Sequence, residues 1–139
     1  MNSTALLNQS QQASDGLDIH VKHLDLQRLK HLHTDTPGAE MSITEWDTAE
    51  LEYRRFLTLK RLYPGVTLIP TKAADSLWQA HILDTRAYRS DCHKVFSRFI
   101  DRYPYFGIYG EEDQREMESA KAHTARLHEK HFGAICGSA

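Results

Sequence analysis

The sequence predicts an all-α fold, a compact bundle of about five helices with an aromatic, glycine-bounded loop before the last of them. Three observations predict it. Apolar residues recur at helical spacing over long stretches, most widely from Trp46 to Tyr63. Proline and glycine fall between those stretches, at Pro37-Gly38, Pro64-Gly65 and from Pro104 to Gly110. The β-branched run from Val66 to Ile69 has no clear partner run to pair with.

The elements follow in order. Residues 1–15 are polar and rich in Ser, Gln and Asn, so a flexible arm is expected there, with a short helical turn at Ala5–Leu7. A single helical domain is expected over 16–133, then a small-residue tail over 134–139. Leu17, Val21, Leu24, Leu29 and Leu32 read as the face of one first helix, and residues 33–40 as a loop around Pro37-Gly38. Ser42 and Glu45 have capping-box spacing, with Met41 placed to pack on Trp46. The helix they open should run to about Tyr63, buried through Trp46, Ala49, Tyr53, Phe56, Leu57 and Leu59, and stopped by Pro64-Gly65. Val66 to Ile69 is expected to be an extended crossing ended by Pro70. Thr71 should cap a third helix reaching Ile82 or Leu83. Asp84 should cap a fourth, running to about Asp101, with Leu83 and Tyr88 as a hydrophobic staple. Asp113 and Glu116 offer a second capping box for the last helix, which should reach His131 or Phe132 and end at Gly133.

Bulk charge excludes little but sets a direction. Seventeen basic and nineteen acidic residues leave a net charge of -2, so a nucleic-acid partner is not expected. No apolar run is long enough to span a bilayer, and no secretory signal opens the chain, so no membrane association is expected. The two cysteines, Cys92 and Cys136, form no disulfide framework or CxxC motif, which fits a reducing cytoplasm. Oligomeric state and cofactor are not legible.

Chemistry concentrates between Asp75 and Cys92. At about 100° per residue, Asp75, Trp78, His81 and Asp84 drift by roughly 60° at each step of three. The drift, with the cap signal at Asp84, makes this a helix–corner–helix element. In a functional reading His81 works with Asp75, Asp84, Asp91 or Cys92, as a base oriented by a carboxylate or as a metal ligand. The metal set would be His81, Asp84, Cys92 and a C-terminal histidine, His131. In a structural reading Asp84 is a cap, His81 bonds a backbone carbonyl, Trp78 and Tyr88 fill the core, and Cys92 is a small buried hydrophobe. Cys92 and His93 point about 100° apart on a helix and make a poor thiolate pair.

The segment Tyr103 to Gly110 carries Tyr103, Tyr105, Phe106 and Tyr109 between glycines. Such a loop can line a pocket or present an interface, or it can fold back over the core. The first functional expectation is a helical module that binds a protein or small ligand through Asp75, Trp78, His81, Asp84, Tyr88, Tyr105 and Phe106. The alternative is a metal-dependent or acid–base enzyme centred on His81. A third is an oligomerisation domain, which would leave part of the 44–63 helix face uncovered.

The order of several short pieces is similar to the helical region of glycine-rich domain-containing proteins, found in plants, fungi and bacteria. The pieces are Tyr53-Arg54-Arg55-Phe56-Leu57, Pro70-Thr71, Asp75-x-x-Trp78-Gln79-x-His81, Asp84-Thr85-x-x-Tyr88-x-x-Asp91-Cys92 and Pro104-Tyr105-Phe106-Gly107. The resemblance covers roughly residues 45–133 and implies a helical fold and, from the plant members, a regulatory or stress-associated role without a stated activity. In that family the central motif often reads Asp-x-x-Trp-His-x-His. Here Gln79 follows Trp78, so the resemblance implies one imidazole fewer. The glycine-rich tail that names the family has no counterpart in this sequence.

Overall fold

A computed structural model describes residues 15–133. The expected turn at Ala5–Leu7, most of the arm, and the tail with Cys136 lie outside the described residues. The fold is all-α. Among the described residues six helices run in the order α1 (Ile19–Lys22), α2 (Gln27–Thr34), α3 (Ile43–Leu62), α4 (Lys72–Leu83), α5 (Thr85–Phe96) and α6 (Glu111–Phe132). None of them is long and apolar enough to cross a membrane.

The central helix, α3, forms as its residues dictate. Ser42 Oγ accepts from the Glu45 amide and Glu45 Oε1 accepts from the Ser42 amide, each at 3.0 Å, which closes the capping box. Trp46, Ala49, Tyr53, Phe56, Leu57 and Leu59 are all buried, and the helix stops at Leu62 before Pro64. Its most extensive partner is α4, while α1, α2 and α6 also lie against it. A single apolar cluster results, joining Val21 and Leu29 to Trp78, Val95 and Ile100. The large apolar side chains exposed on α3, Ile43 and Leu51, are separated by eight positions, so its main face is covered from within the chain.

Two expected boundaries are corrected. The expected single helix from Leu17 to Leu32 is two helices, separated by a non-helical Leu24-Asp25-Leu26. Both leucines are buried and Asp25 is exposed, an alternation that a continuous helix could not give. Arg54 of α3 makes the break affordable in hydrogen bonds: it donates to the carbonyls of Val21 (2.7 Å), Lys22 (3.2 Å) and Leu24 (2.9 Å). The helix expected to reach Asp101 ends at Phe96, where Ser97 turns left-handed at φ 59° and Arg61 Nε donates to the Val95 carbonyl at 3.1 Å. That early stop returns Ile100 to the core.

Asp84 separates α4 from α5 without capping by its side chain. Its amide bonds back to Ala80 and His81, and its carbonyl accepts from the Tyr88 amide at 2.8 Å, so one residue makes the corner through its backbone alone. The staple fails too, because Leu83 is 82% exposed while Tyr88 is buried. Val66 to Ile69 forms no strand and leads from α3 to α4 as expected, held where the Ile69 amide donates to Thr124 Oγ1 of α6 at 3.0 Å. The last helix begins at Glu111, two residues before Asp113. Asp113 therefore opens no capping box. Its carboxylate instead accepts from the amides of Gly107 (2.9 Å) and Tyr109 (3.1 Å), pinning the aromatic loop to α6. Gly107 sits at φ +86°, and a Cβ there would come within 2.7 Å of Met117 Sδ, so the loop can lie this close only with glycine.

Candidate functional site

The α4–α5 corner puts two polar chains behind one another. In the first, Trp78 Nε1 donates to Tyr88 Oη at 2.9 Å, and Tyr88 Oη donates to the Ile100 carbonyl at 2.6 Å. Burial pushes the Tyr88 phenol up, so it keeps the proton that it donates. Phe56 packs on Trp78 with ring centroids 5.2 Å apart. Trp78 and Tyr88 thus join α3, α4, α5 and the turn after α5.

The second chain is Tyr53–His81–Asp91. Tyr53 Oη lies 2.7 Å from His81 Nδ1, and His81 Nε2 lies 2.8 Å from Asp91 Oδ2. Burial raises the Tyr53 phenol well above its ordinary range, so Tyr53 donates and Nδ1 accepts. Nε2 then carries the ring hydrogen and donates to the Asp91 carboxylate. His81 bonds side chains on α3 and α5, not the backbone carbonyl expected in the structural reading. Of the four partners weighed for it, Asp91 is the one that binds it. With the ring 3% exposed and both nitrogens engaged, this arrangement leaves no imidazole atom for a substrate proton.

The predicted metal donors are not gathered. Among the described residues no group of three or more His, Cys, Asp or Glu side chains is placed to hold a metal. His81 is enclosed as above, and Asp84 is exposed beside Leu83 on a separate groove. Cys92 is buried, with its thiol pushed up by that burial and therefore poorly suited to act as thiolate. His131 Nε2 meets Tyr63 Oη at 2.6 Å, near the end of α6.

Other predicted residues do converge. Asp75, Trp78 and Phe106 line one cleft of about 570 Å³ between the 66–72 crossing and the 101–106 loop. Arg102 forms its wall, held by a two-pronged bond to Asp75 with both distances 2.7 Å. Gln79, at the position where the resembling motif has histidine, donates to the same Asp75 at 2.9 Å and is exposed. Tyr103 also lines the cleft. It stacks edge-on with Tyr105 at 5.6 Å, and Tyr105 and Tyr109 stand largely in solvent. The loop therefore does not fold over the core.

The cleft's charge comes from residues that the sequence reading did not single out. Lys60, Lys72 and Lys121 line it, against Asp101 and the paired Asp75. Among the described residues none of these lysines makes an ion pair. Lys60 lies over the rings of Phe56 (5.4 Å) and Trp78 (5.5 Å), and burial, then the Arg98 charge, pulls its pKa down. Thr71 caps α4 at the same place, its Oγ1 accepting from the Ala74 amide at 3.2 Å, so the positive end of the α4 dipole also faces the cleft wall.

A second groove, of about 560 Å³, lies between α3 and α6 and shares the wall Ile69–Lys72. Glu52 and His128 are buried in it. Desolvation lowers the pKa of His128, and of the half-buried His131, below the ordinary 6.5. Each takes up a proton less readily folded than unfolded. Stability must then fall as pH drops below about 6.5 toward the folded pKa values. His128→Gln is expected to shrink the loss of Tm between about pH 7 and about pH 5 in thermal melts, and an unchanged difference would remove His128 from this account.

No protein-family model, curated protein or solved structure matches the chain.

Proposed function

We propose that the chain is a helical binding module whose ligand is a small anion with a planar apolar body, held in the cleft between the 66–72 crossing and the 101–106 loop. One observation carries the reading: three lysines without ion-pair partners and the aromatic residues Trp78, Tyr103 and Phe106 line a single cavity. A planar body has aromatic surface to lie on, and an anionic group has lysines and a helix N-terminus to meet. The cavity volume is in the usual range for a small-molecule site, about 300–1,000 Å³. Lys60 adds a reason to favour anions, since it is half-buried over two aromatic faces, with the Arg98 charge near it, and gains from a negative partner. Kinship with the glycine-rich domain-containing proteins and a cytoplasmic location belong to this proposal. The motif residues Asp75, Trp78 and Phe106 support the first through their shared cleft.

Phenyl phosphate is a suitable probe, with benzylamine as the control of opposite charge. Wild-type protein should bind phenyl phosphate saturably in calorimetry and not benzylamine. Lys60→Gln, checked for fold by circular dichroism, should weaken binding about tenfold or more, the worth of one charge-assisted contact. Equal binding of both probes, or no effect of Lys60→Gln, would sink the proposal.

A further inference from the structure

We propose that the groove between α3 and α6 is a second binding site, for an apolar molecule with a primary ammonium head. Phe56, Leu59, Ile69 and Ala125 supply apolar walls, and Glu52 and His128 supply the polar floor. Both floor residues are more than nine-tenths buried, at 9% and 6% exposure. His128 Nδ1 donates to the Gly133 carbonyl at 2.8 Å, so the neutral ring offers Nε2 as a lone-pair acceptor. Glu52 lines the same groove and makes no hydrogen bond or ion pair among the described residues. That unpaired carboxylate is open to the groove, where a ligand that supplies donors and a positive charge can meet it.

The chemistry of the head follows from what the floor lacks. Both Glu52 and His128 Nε2 accept, so the ligand must donate. A hydroxyl has one hydrogen to give, whereas an ammonium has three and a charge opposite to Glu52. Thr124 is no competitor, because it already donates to the Ala120 carbonyl (2.8 Å) and accepts from the Ile69 amide (3.0 Å). Arg55 does not neutralise Glu52 through an ion pair, and its guanidinium lies over the Phe132 ring, 5.4 Å from its centroid. Lys72 and Lys121 line the groove too, but as exposed side chains, whereas Glu52 and His128 are the buried polar residues that the head meets. The inference does not rest on the anion-binding cleft, which meets this groove only along Ile69–Lys72 and Lys121 and favours a ligand of the opposite charge.

The test uses n-hexylamine, n-hexanol and n-hexanoate, followed by calorimetry and by amide chemical shifts. Hexylamine should bind saturably, with shifts centred on Glu52, Ala125 and His128, at least tenfold tighter than hexanol, and hexanoate should leave those resonances unmoved. Glu52→Gln should weaken hexylamine at least tenfold. Ala125→Phe, at an exposed α6 position that faces the groove, should abolish binding while leaving the fold intact. Hexanol or hexanoate binding as tightly as hexylamine, or hexylamine affinity unchanged in either variant, would overturn the inference.

Discussion

Trp78→Ala is expected to lower the unfolding free energy by about 3–5 kcal/mol, the usual result of deleting a large buried side chain. Trp78 is 5% exposed, packs on Phe56, and gives its indole hydrogen to Tyr88. The truncation opens a cavity at the α3–α4 contact and frees a hydroxyl that also holds the Ile100 carbonyl. Urea unfolding followed by far-ultraviolet dichroism measures the change. A loss under about 1 kcal/mol would mean that Trp78 does not anchor the α3–α4 contact.

His81→Leu is expected to cost about 3 kcal/mol. Leucine fills much of the space but leaves the Tyr53 hydroxyl, on a residue with no exposed surface, without an acceptor, and removes the bond to Asp91. Tyr53→Phe should cost less, since only one bond is lost. The two substitutions share that bond, so the double variant should fall short of additivity by about 0.5 kcal/mol or more. Strict additivity would show that the Tyr53–His81 bond carries no stability. The same substitution tests whether His81 is a chemical group or a fastener between α3, α4 and α5, since a fastener changes stability and leaves phenyl phosphate affinity within about twofold.

Local signals were legible in the sequence and distant ones were not. The capping box at Ser42 and Glu45 and the Thr71 cap could be read because each partner lies within one turn. The break between α1 and α2 depends on Arg54, some thirty residues away, although the two-residue spacing of Leu24 and Leu26 already argued against one helix. Asp84 had the right residue type and place for a cap, but the corner closes through its backbone. The partner of His81 on α3 could not be read, as Tyr53 looked like one more core aromatic. The cleft was half legible: Asp75, Trp78 and Phe106 were singled out, while Lys60, Lys72 and Lys121 were hidden among ordinary charged residues. Glu52 was missed although a signal existed, a carboxylate between Ala49 and Phe56 on the buried face of α3.

Heteronuclear NMR titration of the wild-type chain with phenyl phosphate tests the central claim most directly. The account predicts saturable amide shifts centred on Lys60, on Thr71 and Lys72 at the start of α4, on the crossing at Thr67 to Ile69, and on the loop at Arg102 to Phe106. Shifts centred elsewhere, or none at millimolar probe, would contradict it.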